Sequence, residues 1–199
     1  GAFAALKDNG SVVTWGDLYF GGDSSSVTSA LSANVVNIFS TSGAFAALKD
    51  NGSVVTWGSY NDGGNSSSVA AQLSGGVIEV FSTKSLAFAA LKDNGSVATW
   101  GKPDFGGNSS TVASQLTSEV VMVFSNKFSF AALKSDNSIV TWGYAEYGGD
   151  SSLMASQLSD GVVEVFSSDY AFAALKEDGS VVTWGGDNGD ISSIVSQLS

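Results

Sequence analysis

The sequence predicts an all-β protein, a β-propeller built from five repeats of about 42 residues. The run GAFAALKDNGSVVTWG occupies residues 1–16 and returns unchanged at 43–58. Near-copies stand at 87–101, 129–143 and 171–185, and successive Trp residues are separated by 42, 43, 42 and 42 positions. A fixed period of this length is typical of solenoids, propellers and arrays. Small antiparallel sheets set around an axis use units of this size.

The elements of one unit are clearest in the third repeat. A short β-branched and aromatic run at 77–82 predicts a first strand. The next run, AFAALK at 87–92, is apolar on both faces of a two-residue period, so a second strand buried on both sides is expected. Asp-Asn-Gly-Ser at 93–96 then predicts a two-residue hairpin with positive φ at both Asn and Gly, and a third strand returns to Trp100.

A less regular segment completes each unit after the Trp-Gly pair. It comprises four unlike residues, then Gly-Gly, then Asp or Asn, and finally Ser-Ser and a V-x-x-Q-L motif. This motif is compatible with an outer strand or a short helix. A preceding Ser or Asp suits an N-cap, Val69 and Leu73 are four apart, and Gly75 and Gly76 would end a helix, so we favour the helix.

The five units form one repeat domain over residues 1–199, with boundaries at about 1–42, 43–84, 85–127, 128–169 and 170–199, the last unit incomplete. Radial stacking would cover both faces of each blade, which suits the apolar second strand. A linear solenoid is the alternative, and it would expose an apolar face at each end. The first strand has only four copies, so one blade should lack it. Either a ring tolerates a short blade or a longer array has been cut, and we favour the second interpretation.

Composition excludes several classes of function. The net charge is −11 and all eight basic residues are Lys, so neither nucleic acid nor an anionic membrane is an expected partner. No apolar run approaches the roughly 20 residues of a membrane span, so no insertion is expected. Without His or Cys, Ser-His-Asp and Cys-His catalysis and the usual zinc sites cannot form. A carboxylate pair for glycoside hydrolysis is not marked out, and a turn Asp offers too few ligands for Ca²⁺. We therefore expect no enzyme, catalytic residue, metal or cofactor.

The run AFAALKDNGSVVTWG, with Gly-Gly six and seven residues after Trp, resembles the repeat of the regulator of chromosome condensation family, and the resemblance covers the whole chain. It implies a β-propeller with antiparallel blades. The chain departs from the family pattern where Ala44 replaces a typical His and where Gly64-Asn65 replaces a Gln-Leu pair. Some family members promote nucleotide exchange on a small GTPase or attach to chromatin through a basic tail. This chain has neither a long blade insertion nor a basic tail, so the fold is implied and the activity is not.

The recurring Trp residues are expected in the core, because a Trp at the end of a central strand is more often core than a ligand platform. The loops after each Trp-Gly vary between copies, and aromatics beside acids on loops over a rigid scaffold are typical of binding surfaces. Packing by the residue at a fixed offset from Trp, where Phe20, Phe105 and Tyr147 stand, is an equal alternative. The candidate binding residues are Tyr19, Phe20, Tyr60, Asp62, Asp104, Phe105, Tyr144 and Tyr147.

The leading hypothesis is a non-catalytic scaffold or binding module that recognises a protein or a glycan through these loops. It would belong to a larger assembly or longer repeat chain, with an extracellular or cell-surface location favoured. A multivalent sugar-binding lectin is the first alternative, since similar sites on several blades would gain from effective concentration. A regulator of a small GTPase is the second alternative, and it follows from the family resemblance alone.

Overall fold

The computed structural model describes residues 1–186, and these form five antiparallel sheets that follow one another along the chain as the blades of a propeller. The first blade has two strands and each of the other four has three, with the second strand in the middle. The all-β propeller prediction is confirmed, and the first blade is the one that lacks its first strand. The fifth copy of the V-x-x-Q-L motif lies outside the described residues.

The strands alternate with short helical turns, and no long helix occurs among residues 1–186. None of these turns is long and apolar enough to cross a membrane. The strands, grouped by blade, are β1 (Ala2–Leu6) and β2 (Val12–Gly16); β3 (Val35–Ser40), β4 (Ala44–Lys49) and β5 (Val54–Gly58); β6 (Val77–Ser82), β7 (Ala87–Lys92) and β8 (Val97–Gly101); β9 (Val120–Ser125), β10 (Ser129–Lys134) and β11 (Ile139–Gly143); β12 (Val162–Ser167), β13 (Ala171–Lys176) and β14 (Val181–Gly185).

The hairpins between the second and third strands differ from the sequence prediction. In the third blade, the Gly95 amide donates to the Lys92 carbonyl, and the Lys92 amide donates to Ser96. Gly95 has a φ of +74°, whereas Asn94 is not among the residues with positive φ. The turn is therefore a type I turn followed by one left-handed residue. The Asn94 side-chain oxygen accepts from the amide and the hydroxyl of Ser96, which holds Asn94 in this turn.

Each complete first strand carries a β-bulge. Register shifts between Val77 and Glu79 leave Ile78 out of the pairing with β7, and the same shift occurs at the equivalent point of blades two, four and five. The bulge brings Val77 and Val80, three residues apart, into the buried core, while Ile78 is exposed. This explains why the strand does not follow a simple two-residue period.

Neighbouring blades pack face to face through alternate residues of their second and third strands. In the second blade, Phe45, Ala47, Val55 and Trp57 contact the first blade's core, and we call this side the front face. The opposite side, the back face, places residues such as Ala46 in the core shared with the third blade. Both faces of the middle strand are thus buried, as the AFAALK pattern indicates.

One set of contacts recurs at every junction between consecutive blades. At the junction between blades three and four, the Trp142 Nε1 donates to the Gly106 carbonyl at 3.1 Å, and the Trp142 ring stacks on Phe130 with centroids 5.2 Å apart. Gly106, the first residue of the Gly-Gly pair, has a φ of +99°, and a Cβ there would lie 2.6 Å from Phe130. The Gly-Gly pair therefore serves close packing between blades. The same Trp-to-Gly bond joins Trp57 to Gly21, Trp100 to Gly63 and Trp184 to Gly148.

The V-x-x-Q-L segments of the first four repeats form short 3₁₀ turns, so the helical interpretation is closer than the outer strand. They span Ser25–Val27, Ser67–Val69 with Gln72–Ser74, Ser110–Leu116, and Ser152–Met154. Before each one, an Asp or Asn oxygen accepts the amide two residues later, as Asn65 does from Ser67 and Asp150 from Ser152. Asp and Asn can therefore replace each other at this position, because the side chain of either residue supplies the acceptor.

Candidate binding site

The antiparallel order of the strands brings two kinds of loop to one end of each blade. The turn between the first and second strands and the turn after Trp-Gly both lie there, while the hairpin lies at the opposite end. We call this end the loop face. The post-Trp turns on it are Leu18–Gly22, Tyr60–Asp62, Pro103–Phe105 and Ala145–Tyr147.

Five aromatic side chains from blades three, four and five meet on the loop face, and we call them the aromatic cluster. Phe128 lies at the centre, with ring centroids 5.2 Å from Phe105, 5.2 Å from Tyr147 and 5.9 Å from Tyr170. Tyr144 stacks on Tyr147 at 5.1 Å, and Tyr147 lies 5.0 Å from Tyr170. All five side chains are half-buried, so each presents part of its ring to solvent.

Hydrogen bonds to buried groups fix the backbone beneath the cluster. The Asn126 side chain is buried; its oxygen accepts the amides of Phe128 and Ser129, and its nitrogen donates to the Tyr147 carbonyl at 2.6 Å. The Ser129 hydroxyl donates to the same carbonyl. The strand-joining turn and the post-Trp turn of the fourth blade are thus tied together, which fixes the relative positions of Phe128 and Tyr147.

Lysines surround the cluster although the chain as a whole is acidic. Lys127 Nζ lies 5.5 Å from the Phe128 centroid and 5.7 Å from that of Tyr170, and Lys102 Nζ lies 5.6 Å from Phe105. Such cation–π contacts keep the ammonium groups against the rings. Of the other six lysines, five immediately precede the hairpins and the sixth, Lys84, lies beside Asp169. The three lysines that do not precede a hairpin therefore all lie around the cluster.

The Lys84–Asp169 ion pair joins the third blade to the fifth at the edge of the cluster, with 2.9 Å between Nζ and Oδ1. The hydrogen bond and the charge of Lys84 lower the pKa of Asp169 below its ordinary value, and Lys127 adds to this effect. The Lys127 amide also donates to the Asp169 carbonyl at 3.2 Å. Three successive blades are therefore connected through their strand-joining turns around the cluster.

Only three of the eight sequence-predicted residues, Phe105, Tyr144 and Tyr147, meet in the aromatic cluster. Tyr19 and Phe20 pair with each other on the first blade, 5.3 Å between centroids.

The remaining three predicted residues lie outside the cluster. Tyr60 is 70% exposed and lines a groove of about 620 Å³ between blades two and three, beside Lys102 and Pro103. Asp62 stands five residues after its Trp, the position that Phe105 and Tyr147 occupy in their repeats. Its backbone carbonyl accepts a hydrogen bond from the Thr41 hydroxyl, just as the Tyr147 carbonyl accepts one from the Asn126 side chain. Asp104 is exposed on the third-blade turn. The loop remnant of the fifth copy, from Asp187 onwards, lies outside the described residues.

Sequence reasoning missed Phe128 and Tyr170, which stand immediately before the second strands of blades four and five. The equivalent residues in earlier copies are Gly43 and Leu86, so this position also varies between copies. Because antiparallel pairing places it at the same end as the post-Trp loop, the variation was a usable signal. The central residue of the cluster, Phe128, comes from this second variable position.

The described residues contain no group of three or more acidic side chains arranged to hold a metal ion. Buried side-chain nitrogen and oxygen atoms within residues 1–186 all have hydrogen-bond partners. The cluster therefore offers ring faces, ring edges and ammonium groups. These groups suit recognition of an apolar or aromatic surface that carries acceptors.

Comparison with solved structures supports the fold. Human WBSCR16 matches with a TM-score of 0.58 and 16% identity, over 92% of this chain and 59% of that one. Prp20p from Saccharomyces cerevisiae matches with a TM-score of 0.55 and 18% identity, over 92% and 55%. Both are RCC1-like β-propellers, so the resemblance to the regulator of chromosome condensation repeat is confirmed at the level of fold. The chain spans less than two thirds of either structure. No protein-family model matches the sequence, and neither does any curated protein.

Proposed function

We propose that the chain is a non-catalytic binding module that recognises a protein partner through the aromatic cluster. The observation that carries this proposal is the convergence of five half-buried aromatic side chains from three blades on one rigid end of the propeller. Tyr and Phe are enriched in protein interfaces, and clustered aromatic anchors commonly dominate their binding energy. The module would belong to a larger surface or secreted protein.

Rigidity of the surface supports the proposal. Asn126 and Ser129 hold the turns of the fourth blade together from beneath, and Lys127 links them to the fifth blade. A surface that is already ordered loses little conformational entropy when a partner binds. Variable residues on an otherwise repeated scaffold are the usual place for recognition.

Other propellers of this fold bind proteins. The Prp20p structure is described together with its binding to Gsp1p and histones, and yeast RCC1 (Prp20) has been crystallised bound to Kap60. At 17–18% identity these partners do not transfer to this chain. They support only the choice of a protein as the class of partner.

The absence of catalysis is part of the proposal and rests on composition. The chain has no His and no Cys, so the commonest general base and the thiolate nucleophile are missing. The acidic residues near the cluster, such as Asp104 and Asp169, are exposed on separate turns.

The test is selection of ligands on the purified chain from a displayed peptide library, with a glycan array probed in parallel, with and without Ca²⁺. The binding variant carries Tyr144→Ser and Tyr147→Asp, the residues that the second repeat has at these positions as Ser59 and Asp62. The control variant is Leu153→Ser, which removes a side chain that is 89% exposed and matches Ser26 and Ser68 of other repeats.

We expect selected peptides to bind the native chain and the control equally, and the binding variant about thirtyfold more weakly, as loss of a hot spot of about 2 kcal/mol implies. Circular dichroism would show that all three chains are folded. Peptides that bind all three chains equally would overturn the assignment to the cluster. Saturable glycan binding without peptide binding would replace the protein partner by a sugar.

A further inference from the structure

A second concave site lies in the groove between blades two and three, and we call it the Tyr60 groove. Its volume is about 620 Å³, inside the range of roughly 300–1,000 Å³ that small-molecule sites occupy. Tyr60 and Asn65 stand on its blade-two side, and Pro103 and Asn108 stand on its blade-three side. Trp100 also lines it, and this ring is only 2% exposed, so the groove sits over a tightly closed junction.

Tyr60 offers a free aromatic ring on a fixed turn. Every other aromatic residue of the post-Trp turns packs against a second ring, on the first blade or in the aromatic cluster. Tyr60 is 70% exposed and has no ring or hydrogen-bond partner within residues 1–186. The backbone below it is held by the buried Ser59, whose amide donates to the Gly43 carbonyl at 2.8 Å and whose carbonyl accepts the Gly64 amide at 2.9 Å. The ring is therefore a flat apolar surface available to a ligand.

Asn65 and Asn108 supply preorganised hydrogen-bond donors to the groove. The Oδ1 atom of Asn65 accepts the Ser67 amide at 3.0 Å, and that of Asn108 accepts the Ser110 amide at 2.9 Å. These bonds fix both side chains and leave the two hydrogens of each Nδ2 group without a partner in the described part of the chain. The Asn61 side chain and the Ser67 hydroxyl, which also line the groove, are equally free there.

The groove is neutral for an acidic chain. None of the described residues that line it carries a carboxylate, although the net charge of the chain is −11. The equivalent positions include Asp23 at the first junction, Asp104 and Asp150 at the third, and Glu146 and Asp150 at the fourth. The one charged lining residue is Lys102, whose Nζ lies 5.6 Å from the Phe105 ring centroid. A metal cation would find no carboxylate ligand, and an anion would find a single ammonium group already placed against a ring.

We propose that the Tyr60 groove binds a neutral sugar. One face of a pyranose ring presents C–H groups, which can lie against the Tyr60 ring, and its hydroxyls can accept from the Asn65 and Asn108 amides. Pro103, the only Pro in the chain, adds a second apolar surface with a fixed φ. An uncharged ligand is not repelled by the acidic chain. The proposal does not rest on protein binding by the aromatic cluster.

The experiment is an NMR titration of the ¹⁵N-labelled 199-residue chain with the methyl glycosides of glucose, galactose, mannose and N-acetylglucosamine, each tested separately. We expect at least one glycoside to bind saturably with a dissociation constant on the order of 1 mM, as a ligand of this size in an open groove allows. The side-chain amide signals of Asn61, Asn65 and Asn108 should shift. The signal of Asn51, on a hairpin at the opposite end, should not.

Two variants alter the groove while keeping residues that other repeats use. Asn65→Asp replaces the amide donors by a charged acceptor, and the turn should stay folded because Asp23 and Asp150 accept the same amide bond in their repeats. Tyr60→Leu removes the ring and copies Leu18 of the first repeat. We expect each variant to weaken sugar binding at least tenfold, with circular dichroism showing that both are folded.

Two controls accompany these variants. Asn51→Asp makes the same change of charge at a hairpin, where Asp136 already makes the equivalent bonds to Ser138. It should bind the sugar as the native chain does. The variant with Tyr144→Ser and Tyr147→Asp, which alters the aromatic cluster, should also bind the sugar unchanged. This second control separates the sugar site from the proposed protein-binding surface, so either proposal can fail while the other stands.

Four results would overturn the proposal. Absence of saturable shifts with all four glycosides, at concentrations far above the expected constant, shows that the groove does not hold a neutral sugar. Binding that survives in both Asn65→Asp and Tyr60→Leu places the sugar elsewhere. Loss of binding in the Tyr144→Ser and Tyr147→Asp variant assigns it to the aromatic cluster. An equal loss in Asn51→Asp shows an effect of net charge instead of contact in the groove.

Discussion

Replacing Gly106 with Ala tests the close packing between blades. Gly106 has a φ of +99°, and its new Cβ would lie 2.6 Å from Cδ2 of Phe130, a ring that is fully buried. The left-handed backbone costs a non-glycine residue roughly 1–2 kcal/mol. Overpacking a buried ring costs roughly 1–3 kcal/mol. We expect Gly106→Ala to lower the free energy of unfolding by about 2–5 kcal/mol, the sum of these two effects.

Gly179 supplies the matched control. Its φ is +84°, and no described atom lies within 4 Å of a Cβ built on it, so Gly179→Ala should cost only the backbone part, roughly 1–2 kcal/mol. Urea unfolding followed by circular dichroism measures both variants against the native chain. A double variant that also carries Phe130→Leu should recover part of the Gly106→Ala loss. Equal costs for the two Gly variants, with no recovery by Phe130→Leu, would refute tight packing at this junction.

Two further predictions concern the hairpins and the indole hydrogen bonds. Hydrogen bonds from Ser138 and Ser180 lower the pKa of Asp136 and Asp178 below the ordinary 3.8, so the stability they add is present above that value and is lost as the pH falls through the lowered pKa. The double variant Asp136→Asn with Asp178→Asn should leave the stability at pH 7 nearly unchanged, since Asn94 makes the same bonds in the third blade. It should also reduce the loss of stability on acidification, measured by unfolding curves at decreasing pH. An unchanged dependence of stability on pH would contradict this. Trp142→Phe should lower the free energy of unfolding, measured with urea, by about 1–3 kcal/mol, because the buried Gly106 carbonyl loses its donor. The exposed Trp15 makes no such bond to a described residue, so Trp15→Phe should change this free energy by less than about 0.5 kcal/mol. Similar losses in the two variants would argue against the hydrogen bond.

The fold could be predicted because each level of the sequence agrees with it. The repeat length, the apolar AFAALK run and the turn residues all indicate stacked antiparallel sheets, and the structure has them. The hairpin type could not be predicted from Asn-Gly alone. Asn94 uses its side chain to accept from Ser96, which leaves only Gly95 in the left-handed region.

The coverage of the blades also departs from the expectation of radial stacking. Blades two, three and four are covered on both faces, as expected for a propeller. Trp15 was expected in the core like its equivalents, yet it is half-exposed because no described residue lies against the first blade's front face. The AFAALK run and the Trp recur in every copy, so nothing in the sequence indicated that Trp15 would differ from its equivalents.

The candidate site was predicted in part. Variation after Trp-Gly identified Phe105, Tyr144 and Tyr147, but the same criterion also selected Tyr19 and Tyr60, which lie apart on other blades. Which loops meet depends on the angle between blades and on buried side chains such as Asn126. These features are three-dimensional, and a pattern of variable positions contains no information about them.

The most direct test of the proposed binding surface is hydrogen exchange of the chain with and without a selected peptide. We expect protection confined to the turns at 126–128, 144–147 and 168–170, since these carry most of the aromatic cluster, and no change at the hairpins on the opposite end. The Leu153→Ser chain should give the same footprint. Protection at the hairpins or on the first blade, with these three turns unchanged, would contradict the assignment of binding to the aromatic cluster.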